Sequence, residues 1–201
     1  QLRASAVRRM EAEEQVLRQR VSIDIPALSP AARLVLERVR DAIDRNDLPA
    51  RVWTTTDQRE ALEGADYVIA TFQVGGLQGF QYDYDIPLKH GVDQCIGDTL
   101  GPGGVFRTLR SVPVALDMAH TMERVCPGAL LLNYVNPMAT VCWALSTTSI
   151  PFVGLCHGVQ TTMDLISGYV GLPKAEIDFL CAGINHMAWF LKLEHRGQDL
   201  Y

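Results

Sequence analysis

"DYVIATF", residues 66–72, is a nearly continuous run of apolar and β-branched residues with "GA" before it and "QVGG" after it. A short apolar run closed by turn residues fits a strand buried on both faces, because a ribbon covered on two sides has no solvent side for polar residues. Two similar runs follow, "ALLLNYV" (129–135) and "PFVGLC" (151–156). Between and after them lie stretches with helical spacing: "GGVFRTLRSVPVALDMAHTMERVCP", "VCWALSTT" and "TTMDLISGYVGL". Upstream, "ARVWTTT" is strand-like, and "DQREALEGA" predicts a short helix capped by Asp57. "SPAARLVLERVRDAIDR" carries a Ser N-cap and a Pro in the first helical turn. "VSIDI" (21–25) predicts a short strand, and residues 1–20 have helical spacing.

Strands alternating with helices make βαβ units and a mostly parallel sheet. The fold class expected is α/β, with strands near 51–55, 66–72, 129–135 and 151–156 and helices on both faces. The run 179–193 starts a second region; the boundaries expected, 1–157 and 158–201, are those of the family resemblance described below. In an open parallel sheet, ligands bind at the carboxyl ends of the strands. Four such ends matter here: "TFQVGG", "NYVNPM", "LCHG" and "GINHM". Each carries polar or metal-capable residues.

Composition narrows the classes of function. With 201 residues, 48% of them hydrophobic, the chain can bury a sizeable core. A formal net charge of −5 argues against nucleic acid or an anionic membrane as partner. No apolar run is long enough to span a bilayer, and the charged start "QLRASAVRRMEAEEQ" has no signal-peptide core. Five cysteines, an odd number without a C-x-x-C pair, fit reduced thiols in a cytoplasm better than a disulfide framework.

Cys156, His157 and His186 are the metal-capable residues at these strand ends. Thiolate and imidazole suit zinc, manganese or iron, and two protein ligands leave positions open for substrate oxygens. The competing reading makes Cys156 a small core hydrophobe and His186 a satisfied core histidine. A shared ion would set sulfur and ring nitrogen roughly 3–5 Å apart. The Asn of "NYVNPM" reads either as a turn starter or as an amide for a sugar hydroxyl or cofactor carboxamide. "DTLGPGG" (98–104) reads either as a phosphate cradle lacking G-x-G-x-x-G spacing or as a turn before a helix.

Taken together, "NYVNPMA", "GLCHGVQ", "AGINHMAWF", "DTLGPGG" and "IPLKHG" resemble glycoside hydrolase family 4, in its α-galactosidase-like branch. The likeness runs from "REALEGADYVIATFQVGG" to the last residue. It implies a partial, Rossmann-like NAD-binding domain followed by the start of a substrate and metal region. It also implies an unusual hydrolysis, unlike the two-carboxylate route of most glycosidases. NAD accepts a hydride from sugar C3, a tyrosine removes the acidified C2 proton with help from a divalent metal such as Mn2+, and the glycosidic oxygen leaves by elimination. Water then adds and the hydride returns.

The resemblance assigns Cys156 and His186 to the metal, and His157 to the place of the leaving-group acid. Asp98 falls where an acid raises the basicity of the tyrosine, which is itself expected beyond residue 201. Asn136, Gln73 and Asn185 fall to the substrate, and Phe72, Gln73, Val74, Asn133 and Asn136 to NAD. Gln73 stands where members acting on phosphosugars carry Arg, which implies an unphosphorylated hexoside. The expected partners are a small glycoside and, in a full-length chain, a second copy; the expected location is the cytoplasm. The glycine-rich diphosphate turn that opens the family's fold is absent, so truncation and weak NAD binding by these residues are expected. "QLRASAVRRM" then matches the helix after the second strand, with Asp24 on "VSIDI" as the alternative ribose acid. A dehydrogenase of the malate or lactate type, which needs no metal, and an inactive remnant are the competing readings.

Overall fold

A computed structural model describes residues 30–94 and 99–201. The N-terminal helix, the strand "VSIDI", Asp24, Ser29 and Asp98 lie outside the described residues. The chain divides into two compact units, residues 1–61 and 62–201.

In the first unit, α1 (Pro30–Arg45) begins at the expected proline, whose fixed φ suits a first helical position. Helix α2 is short, Gln58–Leu62. Asp57 caps it as expected, its Oδ1 accepting the Glu60 N–H at 3.1 Å. The strand expected at 51–55 is not formed. Strand-like composition gives only an extended preference, and no described strand supplies a ladder for these residues.

The second unit holds two sheets. The first is parallel, in the order β1 (Tyr67–Ala70), β2 (Leu130–Asn133), β3 (Phe152–Gly154). Its register sets Ala70 beside Asn133 and Asn133 beside Gly154. Three helices punctuate it: α3 (Gly76–Lys89), α4 (Gly101–Val125) and α5 (Met138–Leu145). Helix α4 buries a row of mostly small residues (Gly104, Ser111, Ala115, Ala119) and ends in Met122. Ala119, Met122 and Leu131 are fully buried in the main core with Val135, Val141 and Leu145. The strands are not covered on both faces, as their composition suggests. Tyr67 and Ile69 of β1 remain exposed while Ala70 is buried.

Helix α3 has no counterpart among the sequence-based expectations. Gly76, Gly79 and Pro87 mask its periodicity. Gly79 is there for close approach, since a Cβ on it would lie 3.3 Å from the Val74 carbonyl oxygen and 3.4 Å from Arg110. Arg110 of α4 binds the buried carboxylate of Asp83 on α3 through both terminal nitrogens, at 2.8 and 2.5 Å. This pair raises the Arg110 pKa above its ordinary value, chiefly through the hydrogen bonding to Asp83.

Helix α6 (Gly158–Val170) leads through a 3-10 turn into the second sheet, the antiparallel β4 (Asp178–Ile184), β5 (Met187–His195) and β6 (Gln198–Asp199). Met163 of α6 packs with Ile177 and Leu193 in a second small core. A register shift at Leu180/Cys181 lets Phe190 and Leu193, an odd number of residues apart, serve the same core. Without it strict alternation would point them to opposite faces.

Candidate active site

The parallel register determines which side chains meet. Ala70, Asn133 and Gly154 are neighbours across the sheet, and each strand continues three residues to Gln73, Asn136 and His157. The Tyr134 and Leu155 amides extend the ladder, donating to Ala70 O and Asn133 O at 2.9 Å each. The three ends therefore present their polar residues along one edge.

Cys156 lies between β3 and α6, and its Sγ accepts the Gly158 N–H at 3.3 Å. His186 belongs to the two-residue turn between β4 and β5, closed by the pair Ile184–Met187. Its φ of 64° is left-handed, a conformation uncommon outside glycine and concentrated at functional sites. Across thirty residues of sequence, Cys156 Sγ and His186 Nε2 stand 3.5 Å apart. The other ring nitrogen, Nδ1, lies 2.8 Å from Thr99 Oγ1.

The donor set and its spacing fit a divalent ion. Ligand distances of about 2.3 Å for sulfur and about 2.05 Å for nitrogen place the two donors about 3.1 Å apart at a right angle and about 3.6 Å apart at the tetrahedral angle. The separation of 3.5 Å falls inside that interval. Among the described residues no third His, Cys, Asp or Glu joins the pair. Cys156 is exposed, whereas Cys126 and Cys142 are packed thiols whose pKa values burial raises. Cys126, Cys142, Cys156 and Cys181 are all free.

Two open cavities meet at this pair. One, of about 460 Å³, is lined by Tyr134, Asn136, Cys156, His157 and His186. There Tyr134 and His157 stack at 5.7 Å between ring centroids. The other, of about 630 Å³, is lined by Cys156, Thr162, Asn185, His186 and Phe190 among others. The Asn185 carboxamide oxygen is buried beside it without a hydrogen-bond partner.

Not every expected site residue joins this group. Asn133 is buried and its carboxamide is committed within the fold, accepting the Val135 N–H at 3.1 Å and reaching Cys142 Sγ at 3.6 Å. Phe72 packs against the main core. Val74 turns its carbonyl toward Arg110, 3.5 Å from Nε. Gln73 is exposed, donates to Gly76 O at 2.9 Å and accepts from Arg107 Nη2 at 3.3 Å. Asp98 lies outside the described residues.

Arg107 and Thr99 were missed by the sequence reading. Arg107 is buried, and through Nε and Nη2 it holds both Asn136 O (3.2 Å) and the Gln73 side chain (3.3 Å). It thereby ties the ends of β1 and β2 together. A cation within the small-residue stripe of α4 was a legible signal for it, since a buried cation needs partners. Thr99 lies within "DTLGPGG", whose glycines signal backbone conformation and carry no signal for the hydroxyl.

Cys156 at the end of the parallel sheet and His186 in the β4–β5 turn form a metal-capable thiol–imidazole pair on an α/β fold. The family model for family 4 glycosyl hydrolases matches residues 20–172, and the chain belongs to that family. It is 45% identical over 168 residues to an alpha-galactosidase of Rhizobium meliloti (strain 1021), covering 83% of this chain and 34% of the relative. It is 44% identical over 173 residues to an alpha-galactosidase of Bacillus subtilis (strain 168), covering 85% of this chain and 39% of the relative. The fold matches a 6-phospho-alpha-glucosidase from gut microorganisms, solved with NAD and Mn2+, with a TM-score of 0.75 and 26% identity. That match covers 84% of this chain and 39% of the other. The chain thus spans little more than a third of these relatives. Membership of this family displaces the malate or lactate dehydrogenase reading. No helix among the described residues is long and apolar enough to cross a membrane.

Proposed function

We propose that this chain carries the strand-end half of the active site of an α-galactosidase that uses NAD and a divalent metal. The observation that carries the reading is the approach of Cys156 Sγ to His186 Nε2 at 3.5 Å, beside two open cavities. When bound, NAD supplies reversible hydride acceptance from sugar C3 and the divalent ion supplies Lewis acidity at the adjacent hydroxyls.

The chain's own residues would do the following. Cys156 and His186 hold the ion from one side and leave its other positions to the sugar. Asn136 and Asn185 supply carboxamides to sugar hydroxyls; the unpartnered Asn185 oxygen is an acceptor suited to such a hydroxyl. His157, exposed at the start of α6 and stacked on Tyr134, would give a proton to the departing oxygen. The turn Gln73–Gly76 at the end of β1 would face the dinucleotide, and a Cβ built on Gly76 meets nothing within 4 Å beyond its own neighbours and helix backbone. Asn133, whose carboxamide is committed internally, takes no part. The neutral Gln73 supports an unphosphorylated galactoside over a phosphosugar, and the identities to two alpha-galactosidases support the sugar. We keep 1–157 and 158–201 as the functional division, and a homo-oligomer in the cytoplasm as the setting.

The test is hydrolysis of p-nitrophenyl α-galactoside by the full-length protein with NAD and Mn2+. Chelation should abolish turnover and Mn2+ should restore it. Cys156→Ser should lower turnover by at least about a hundredfold with the fold intact, since a hydroxyl is a poor substitute for a thiolate ligand. Full activity in that variant, or turnover of 6-phosphoglycosides only, would sink the reading.

A further inference from the structure

The geometry points to Thr99 as the positioning residue that sets the tautomer of His186 and aims its Nε2 at the ion. This inference rests on the metal reading of Cys156 and His186. A neutral imidazole carries its single proton on one nitrogen, and a metal takes the lone pair of the other. For Nε2 to ligate beside Cys156, the proton must sit on Nδ1. Thr99 Oγ1 lies 2.8 Å from Nδ1, within reach to accept that N–H, and in this proposal it accepts it and keeps the proton there. Partners of this kind orient ligating histidines and make them better donors.

The hydroxyl is held firmly enough to serve. Thr99 is buried, and its backbone presses on the first turn of α4. A Cβ on Gly104 would lie 2.5 Å from the Thr99 carbonyl carbon and oxygen, so only glycine permits the approach. Nearby, the buried Gln94 side chain ties α4 to α3, accepting the Gly103 N–H at 2.9 Å and donating to Asp83 O at 3.0 Å. His186 itself sits in a tight turn with left-handed backbone. The contact spans 87 residues of sequence, joining the segment before α4 to the β4–β5 turn.

The test uses full-length protein, Thr99→Val and Thr99→Ser. Long-range 1H–15N correlation spectra of the metal-free, histidine-labelled protein report the tautomer directly. Wild type and Thr99→Ser should show His186 with its proton on Nδ1, and Thr99→Val should lose that preference. Titration with Co2+, followed by the thiolate charge-transfer band from Cys156, should show Thr99→Val binding about 10- to 100-fold more weakly. Thr99→Ser should stay within about threefold of wild type, because it keeps the acceptor. A wild-type proton on Nε2 overturns the proposal while leaving the metal reading intact. Equal Co2+ affinity in wild type and Thr99→Val overturns it also. Loss of affinity in Thr99→Ser as large as in Thr99→Val shows a merely structural role and overturns it. Absence of any Co2+ binding by the wild type overturns the metal reading, and the proposal with it.

Discussion

Asn185 and His186 occupy one two-residue turn and face opposite demands. The His186 ring is partnered at both nitrogens, by Thr99 and Cys156. The Asn185 oxygen is buried and bonded to nothing. An orphaned buried acceptor costs the fold about 1–3 kcal/mol, and native proteins keep such groups where a ligand completes them. Asn185→Ala should therefore leave the thermal midpoint of the ligand-free protein unchanged or higher. The same variant should raise KM for the galactoside, since the ligand loses the group that completes the site. A drop in midpoint with KM unchanged would assign Asn185 to the turn alone.

At the scale of elements, β3 enters the sheet through a fastening that comes from α4. Glu123 Oε1 accepts the backbone N–H of Ser149 at 2.8 Å and its hydroxyl at 2.9 Å, while Oε2 meets His120 Nδ1 at 2.9 Å. The Ser149 backbone bond, then His120 and the Ser149 hydroxyl, hold the Glu123 carboxyl down at about 2, below its ordinary 4.5. Between those values the unfolded chain binds more protons than the folded one. The stabilisation is therefore complete above about 4.5 and lost as pH falls to about 2. Denaturant midpoints measured across this window should fall less steeply in Glu123→Gln than in wild type. Identical slopes would show that the fastening carries no linkage.

At the scale of the molecule, many large apolar side chains remain exposed among the described residues. On the second sheet, Ile184, Met187 and Trp189 are exposed together, with Trp189 62% exposed and Leu191 beside it 63%. Trp143 of α5 and Tyr169 of α6 are likewise exposed, at 78% and 88%. Contiguous exposed apolar surface binds hydrophobic dyes and promotes association. Residues 1–201 expressed alone should strongly enhance the emission of anilinonaphthalene sulfonate. Trp189→Glu with Leu191→Glu should reduce that emission without changing far-ultraviolet circular dichroism. Undiminished emission would place the dye elsewhere.

Local chemistry wrote much of this into the chain. The runs at 66–72, 129–135 and 151–156 favour strands by composition, Pro30 and Asp57 start helices by backbone geometry and capping, and alternation of the two periods implies a parallel sheet. The sequence also placed Cys156 and His186 at strand ends, because a strand's end is a local property. Whether they meet was not local. Their 3.5 Å approach brings the β4–β5 turn to the end of β3, and Met163 of α6 shares a small core with Leu193 of β5. The bond from Thr99 to His186, the bridging by Arg107 and the inward turn of Asn133 arise in the same way. Each is a contact between residues whose partners are chosen by packing, and single-residue preferences carry no information about packing at long range. Helix α3 was hidden for the converse reason: its glycines are poor helix formers, and only close approach to the Val74 carbonyl and Arg110 explains Gly79.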